Sequence, residues 1–497
     1  MRTTFLLSGK DQVGHPIRAL VSGTAVSTRK GPKYKTTGSS VSYTWTQQQR
    51  SIVTPMTSSR YMPPRTEPGS RRPVEQGSIA GDSHAQVGPR SSARTAQKRR
   101  LGRRWLAGSV FAACIALAAH AFFLGWAGPF GLFGNGIDSI VYRHGGEVIL
   151  HGEPLYDFAL FDIGLPFTYP PFAGLMFTPL ALVTVASAVT LLQVINVLLV
   201  YAAVVLSWRA LGHRSGMTYL VSAGMAIAFT WLEPVRMTIW LGQINLLLLV
   251  LVLFDLSRGE GSRLRGVGVG IAAGLKLTPA FFVLYLLAIK QWRSATIACA
   301  AFAVTVAAGF LFIPGDSWKF WTTTMVDSER IGALASPANQ SIHGALARLW
   351  PGHTPPFLVW FLLAAAVAVL ALWTAVRAHK AGKALLALVI TGLATPMVSP
   401  FAWGHHWVWC IPLTIVALDY ANGRRTWWSW LAPLAVTAPM IAWYFTDYRG
   451  IEAIGIFMFE GSPAFEFAVQ FTYPAVFLAV LAATLVSSFR QSSPATV

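Results

Sequence analysis

Few residues able to do chemistry stand among the long apolar runs of this 497-residue chain. The first is Asp138, which follows an apolar run at 105–126 and would stand at the boundary between lipid and water. An acid there can serve as a general base toward a substrate hydroxyl if its carboxylate comes within about 3 Å of that oxygen. Position alone equally allows it to cap or solvate a loop helix. His405 and His406 are adjacent at the start of another apolar run, where a helix N-terminus adds its own attraction for an anion. Lys276 lies beside Pro279 inside an apolar stretch, and an ionisable residue at membrane depth is a functional candidate by default. Glu233 and Arg236, spaced i,i+3, either neutralise each other or bind substrate. Gln243 and Asn245 open a helix and either hydrogen-bond a ligand or tie neighbouring helices together. Asn339, Gln340, His343 and Arg348 share a long polar loop, in which Arg348 could pair bidentately with a phosphate.

These residues need positioning elements, and the composition says what kind. The chain is 54% hydrophobic and 12% charged, about half the charged fraction of soluble domains, which excludes a water-soluble globular enzyme. Runs long enough to cross about 30 Å of hydrocarbon fall at 105–126, 187–207, 294–314, 355–376, 384–400, 405–421, 427–446 and 468–489, with shorter ones at 217–232 and 243–256. The expected fold is all-α, a polytopic helical membrane bundle of about 10–12 transmembrane helices. Lys98, Arg99, Arg100, Arg103 and Arg104 put the N-terminus in the cytoplasm, and the other basic loops agree. They agree if 170–184 and 266–289, both containing Pro, are pairs of half-helices or re-entrant segments. Both termini are then cytoplasmic, and the acids, histidines and amides named above gather on the extracytoplasmic face. An enzyme built this way cannot use cytoplasmic nucleotide-activated groups directly, so the activated group must arrive on a lipid.

Three segments are expected: a disordered basic tail at 1–98, a membrane domain at 99–490 and a short C-terminal tail at 491–497. Residues 1–104 carry 19 basic and 4 acidic side chains, most of the net charge of +19. Because that excess sits on a polar tail without apolar period, it argues against nucleic acid as a partner and for disorder. Cys114, Cys299 and Cys410 lie apart in apolar segments and suggest neither a disulfide nor a metal site. Gly266, Gly268 and Gly270 follow no strand, and close helix packing accounts for them better than a nucleotide loop. No Asp-x-Asp occurs, so the metal-diphosphate clamp of nucleotide-sugar transferases is missing.

Eight strings in order carry more information than any single residue: Asp138 after the first helix, GEPLYD (152–157), LPFTYPP (165–171), WLEP (231–234), LGQIN (241–245), LKLTPA (275–280), NQSIHGALARL (339–349) and SPFAWGHHWVW (399–409). Together they resemble the actinobacterial polyprenyl-phosphomannose-dependent α-1,2-mannosyltransferases, multi-pass glycosyltransferases of the GT-C class that act on phosphatidylinositol mannosides, lipomannan and lipoarabinomannan. The likeness runs from about residue 105 to 489 and leaves out the tail. It implies a GT-C glycosyltransferase fold with an amphipathic outer loop around 137–164, in the plasma membrane. It further implies transfer of mannose from a polyprenyl monophosphate, without a further cofactor or metal, to the 2-hydroxyl of a lipid-anchored mannosyl acceptor. Asp138 takes the role of catalytic base, and His405 or His406 binds donor phosphate or acceptor. Tyr169, Glu233, Arg236, Gln243, Asn245, Lys276, Gln340, His343 and Arg348 are further donor- or acceptor-binding candidates, with loop aromatic rings suited to stacking on sugar faces. Lys276 approaches from the inner side in this topology, which fits a donor phosphate in the outer leaflet poorly. An arabinofuranosyltransferase using a related lipid donor is the nearer alternative, and a secondary transporter or flippase the more distant one.

Overall fold

A computed structural model describes residues 2–10, 16–26, 33–34, 42–43, 101–124, 131–162, 164–327, 329–424, 426–447 and 450–492. The chain divides into two compact units, one of residues 1–34 and 41–97, the other holding 98–497 together with 35–40. In the first unit, Arg2–Lys10 pairs antiparallel with Pro16–Val26, which also pairs with Lys33–Tyr34 and Ser42–Tyr43. Four strands thus fall within the 1–98 segment. They form where short runs of Leu, Ile, Val and Thr interrupt the polar tail. The remainder of that segment, and residues 493–497 of the C-terminal tail, lie outside the described residues.

The second unit is helical. Its helices are α1 (Arg103–Ala119), α2 (Ile137–His151), α3 (Pro171–Ala181), α4 (Val185–Ala210), α5 (Gly216–Phe229), α6 (Glu233–Leu241), α7 (Asn245–Leu256), α8 (Val267–Leu275) and α9 (Phe281–Ala288). They continue as α10 (Trp292–Phe312), α11 (Pro314–Thr322), α12 (Ile342–Leu349), α13 (Phe357–Lys380), α14 (Ala384–Val398), α15 (Cys410–Asn422), α16 (Leu431–Thr437), α17 (Pro463–Val469) and α18 (Thr472–Ser492). The span containing α1 and the helices α4, α10 and α13 are each long and apolar enough to cross a membrane by themselves. The pairs α6–α7 and α17–α18 are bent by 117° and 54°, and five shorter apolar segments accompany them. The protein is a polytopic helical membrane protein.

The expected re-entrant stretch at 266–289 is a helical hairpin whose limbs return to one end. Helix α8 runs alongside α10 in the same direction: Gly266 abuts Ser294 and Ala298, Gly270 abuts Ala298 and Ala301, and Gly274 abuts Thr305. Helix α9 turns into the start of α10 and therefore runs the other way, while Arg265 Nε donates to Gln291 Oε1 at 3.0 Å and ties the two open ends together. In lipid, helices gain little from hydrophobic burial against one another, so backbone approach through small residues supplies the contact. Gly266, Gly270 and Gly274 give α8 such a face, and Gly268 on the opposite face meets α7 at Leu251 and Asp255. Asp255 Oδ2 accepts from the amides of Gly266 and Val269 at 2.8 and 3.1 Å, satisfying the first turn of α8.

The other stretch, 170–184, is not a pair of half-helices. It is the single helix α3 with Pro171 in its first turn, where a missing N–H costs nothing. It packs on α2, with Gly146 against the backbone of Phe177 and Gly174 against Ile149 and Leu155. The expected span at 427–446 is also shorter: its helical part ends by Met440, and Trp443–Asp447 is extended.

The sharpest feature is the break between α6 and α7. Gly242 adopts φ +73, a left-handed conformation that suits glycine, and a Cβ there would strike Ser139 Oγ. A bend of 117° removes helical partners from several carbonyls, and each must find another donor where no water can reach. Three side chains provide them. Gln193 Nε2 donates to Trp240 O at 3.3 Å, Ser139 Oγ to Gly242 O at 3.3 Å and Asn196 Nδ2 to Gln243 O at 2.9 Å. Gln193 and Asn196 are buried polar residues in the apolar α4, and this is their use.

Two stability effects follow. Replacing Asn196 by Ala leaves the buried Gln243 carbonyl without its donor and should cost about 1–3 kcal/mol, read as a lower thermal midpoint of the detergent-solubilised protein. Gly270→Val brings a branched side chain onto Ala298 O, which a Cβ alone would approach to 2.4 Å. The same melt should register that overpacking as a loss of about 1–3 kcal/mol.

Candidate active site

Asp138 lies in the first turn of α2. It does not cap that helix, because Asn135 Oδ1 already accepts from the amides of Gly136 and Ile137 at 2.7 and 2.8 Å. Asp138 Oδ2 instead accepts from Gln243 Nε2 at 2.5 Å. Its Oδ1 has no hydrogen-bond partner among the described residues, and the side chain is half-buried. Burial pushes its carboxyl up to about 6, against the opposing pull of the Gln243 bond and the Lys276 charge.

Gln243 sits at the α6–α7 break, and its own orientation is set by two tyrosines. The hydroxyls of Tyr142 and Tyr169 each lie 2.8 Å from Gln243 Oε1 and 2.7 Å from each other. With Oε1 occupied in this way, the amide presents its N–H to Asp138. Tyr142 is the i+4 neighbour of Asp138 on α2 and stacks on Phe177 of α3 at 4.3 Å. Tyr169 comes from the loop before α3, and Tyr156 Oη donates to its carbonyl at 2.8 Å.

Lys276 occupies the apex of the α8–α9 hairpin in extended backbone, φ −156. Its Nζ donates to Asn245 Oδ1 at 3.0 Å and to His406 Nε2 at 3.1 Å, and lies 5.5 Å from the centre of the Tyr169 ring. Nine residues of α8 lift the amine about 13 Å from the hairpin mouth, so an approach from the other side is compatible with a place beside the Asp138 group. His406 accepts from the ammonium, and burial together with that charge holds both His405 and His406 well below the ordinary histidine range. His405 contributes chiefly its carbonyl, which accepts from Asn245 Nδ2 at 3.0 Å and Thr238 Oγ1 at 3.3 Å. Its ring is stacked on Trp403, and its Nε2 is buried without a hydrogen bond.

Asp138, Tyr169, Gln243, Asn245, Lys276 and His406 thus converge from five separated parts of the chain. Glu233 is a buried neighbour: Tyr473 Oη donates to its Oε2 at 2.5 Å, and Gly404, next to His405, packs on the carboxylate. Arg236 is also buried, on the same short helix.

The remaining candidates make contacts of their own. Arg348 Nη1 donates to Ser336 O and Asn339 O, both at 2.9 Å, and its Nη2 to Gln470 O at 3.0 Å. The guanidinium thus ties its own loop to the carbonyl of Gln470. Gln340 Nε2 donates to Pro337 O and Gln470 O, and its Oε1 accepts from Tyr473 N. Asn339 Oδ1 likewise accepts from Ser341 and Ala402. His343 stacks on Trp360 at 4.9 Å. Tyr142, Ser139, Gln193 and Asn196 escaped the sequence reading. The i,i+4 spacing of Tyr142 from Asp138 and the two amides inside one apolar span were the signals that could have found them.

Comparison with known proteins places this arrangement. Residues 167–400 match the family model described as glycosyltransferase family 87. A Mycolicibacterium smegmatis protein named polyprenol-phosphate-mannose-dependent alpha-(1-2)-phosphatidylinositol mannoside mannosyltransferase is 38% identical over 316 residues, 59% of this chain and 72% of that protein. Its namesake from Mycobacterium tuberculosis is 35% identical over 296 residues, 56% of this chain and 69% of the relative. A Mycobacterium tuberculosis pentamannoside mannosyltransferase with the same donor in its name is 34% identical over 320 residues, 62% of this chain and 73% of the relative. No solved structure matches. The helical membrane architecture and these relatives agree, and the chain belongs to glycosyltransferase family 87.

Proposed function

We propose that this enzyme transfers mannose from a polyprenyl-phosphomannose to the 2-hydroxyl of a mannosyl acceptor on a lipid-anchored glycan of the phosphatidylinositol mannoside class, with inversion to an α-linkage. The observation that carries the reading is the Asp138–Gln243 pair, one carboxylate oxygen fixed and the other open, with a lysine ammonium nearby. Asp138 takes the proton as the acceptor oxygen bonds to C1 of the mannose from the face opposite the phosphate. The C1–O bond to phosphate breaks, and its electron pair leaves with the polyprenyl phosphate. That leaving group is a stable anion, so electrostatic stabilisation suffices and no strong acid is required. Lys276 is the group suited to that charge, with Asn245 and His406 holding its amine. Nothing in this scheme calls for a metal ion or an additional cofactor.

The same reading places the protein in the plasma membrane with both termini cytoplasmic and the site on the extracytoplasmic face, as the basic loops favour. A lipid-linked sugar is the form of activated mannose that such a site can receive.

In membranes supplied with radiolabelled polyprenyl-phosphomannose and a synthetic α-mannoside, Asp138→Asn should lower kcat/KM about 10²- to 10⁴-fold with the protein still inserted. Full activity of that variant would remove Asp138 from the chemistry. The pH dependence has a fixed sign. The base must be ionised, and its carboxyl titrates at about 6, so the rate should hold above that pH and fall about tenfold per unit below it, as measured from initial rates.

A further inference from the structure

A pocket opens beside Lys276, and its walls are of two kinds. Asn245, Lys276, Thr278 and His406 form one end, and Leu248, Leu249, Val252, Phe282, Val408 and Trp409 supply most of the rest. No carboxylate lines it. The cation at its head has two hydrogen bonds, both to neutral acceptors, and no ion pair among the described residues. A half-buried ammonium whose direct partners are all neutral, with the Asp138 carboxylate acting on it only from beyond contact, gains from an anion that joins it. The apolar wall is also built to be a wall. Trp409 lies on Gly392, where a Cβ would meet its ring at 2.0 Å, and stacks with Phe282 at 5.1 Å. Leu248, Leu249 and Val252 sit one and two turns beyond Asn245 on α7, so the wall extends about 10 Å from the polar end.

From this geometry we infer that the pocket between α7, the α8–α9 hairpin and the α14–α15 connection seats an isoprenyl phosphate, its phosphate at Lys276 and its first isoprene units along Leu248, Leu249, Val252, Phe282 and Trp409. The inference rests on the mannosyl-transfer reading for the identity of the lipid as donor. It adds where that lipid lies and which residues set its chain-length preference. A phosphate at the head meets the ammonium, and a chain too apolar for water meets a surface that offers it no polar partner. The head also adjoins Tyr169, whose hydroxyl contacts the amide that holds Asp138, so the sugar carried by the phosphate falls on the side of the base. A phospholipid or the lipid of the acceptor would bring paired acyl chains, for which a single-chain pocket is the poorer match.

Photolabelling of the full-length wild type in nanodiscs tests this directly, with a polyprenyl phosphate carrying a diazirine in its first isoprene units and no sugar. The expected adducts fall on 248–252, Phe282 or Trp409 and are competed by unlabelled polyprenyl phosphate. Adducts confined to other helices, or competition by phosphatidylinositol mannoside and not by polyprenyl phosphate, would overturn the assignment. Kinetics supply the second measurement. Leu249→Trp and Val252→Trp should raise the ratio of KM for a long-chain donor to KM for a two-isoprene donor about tenfold, the effect of displacing roughly two buried methylenes. An unchanged ratio in correctly inserted variants counts against the groove. Because the label carries no mannose, adducts at the expected positions in a protein that transfers no mannose would sink the transferase reading and leave the lipid site standing.

Discussion

The break between α6 and α7 is the constraint on which the site depends. A membrane helix cannot be interrupted without freeing carbonyls that lipid will not satisfy, so the interruption has to be enclosed by protein donors. Here Gln193, Asn196 and Ser139 enclose it, which commits α4 and α2 to lie against the bend. That commitment does two things together. It brings the first turn of α2, and with it Asp138, to the residue at the bend, and it leaves the Gln243 side chain free of backbone duty. The amide can then hold the carboxylate by Nε2 and two tyrosines by Oε1.

The α8–α9 hairpin answers a second requirement. A cation needed opposite the base has to reach into the protein without crossing it, and an α-helix of nine residues ending in extended backbone does this. Glycines at four-residue intervals let α8 approach α10 closely, and its N-terminal amides are satisfied by Asp255. At the apex, Asn245 receives the ammonium. Asn245 belongs to the first turn of α7, directly after the same break, so base and cation are both referenced to one short piece of backbone.

Much of this was legible in the sequence. Apolar runs and basic loops marked the membrane helices, and Pro279 with Lys276 marked the interrupted stretch. Asp138, Gln243, Asn245 and the histidine pair stood out as polar residues at run ends. What was not legible depended on pairings across long separations. Whether Arg348 meets a phosphate or a carbonyl is decided by where Gln470 lies, 122 residues away. A guanidinium suits either partner. The same holds for Gln340, whose donors go to Pro337 and Gln470. Tyr142 was overlooked because a tyrosine in a membrane protein is ordinarily an interfacial anchor, and only its contact with Gln243 gives it another role. Helix lengths also escaped: α3 reads as a broken pair from its prolines, yet Pro171 is at a first turn, where it starts the helix.

In the proposed reaction the separation of Asp138 from Lys276 acquires a purpose. Asp138 and Lys276 are not in contact; Gln243, Tyr169 and Asn245 lie between them. A direct ion pair would lower the basicity of the carboxylate and occupy the ammonium, disabling both groups for the displacement. Held apart by neutral hydrogen-bonding groups, the carboxylate keeps a basicity raised by burial, and the ammonium keeps an unsatisfied charge. In the proposed reaction each is then completed by a different part of the displacement, the first by the proton of the acceptor and the second by the phosphate that departs. Two opposite charges that the fold keeps from neutralising each other are what an in-line displacement between two lipid-borne substrates requires.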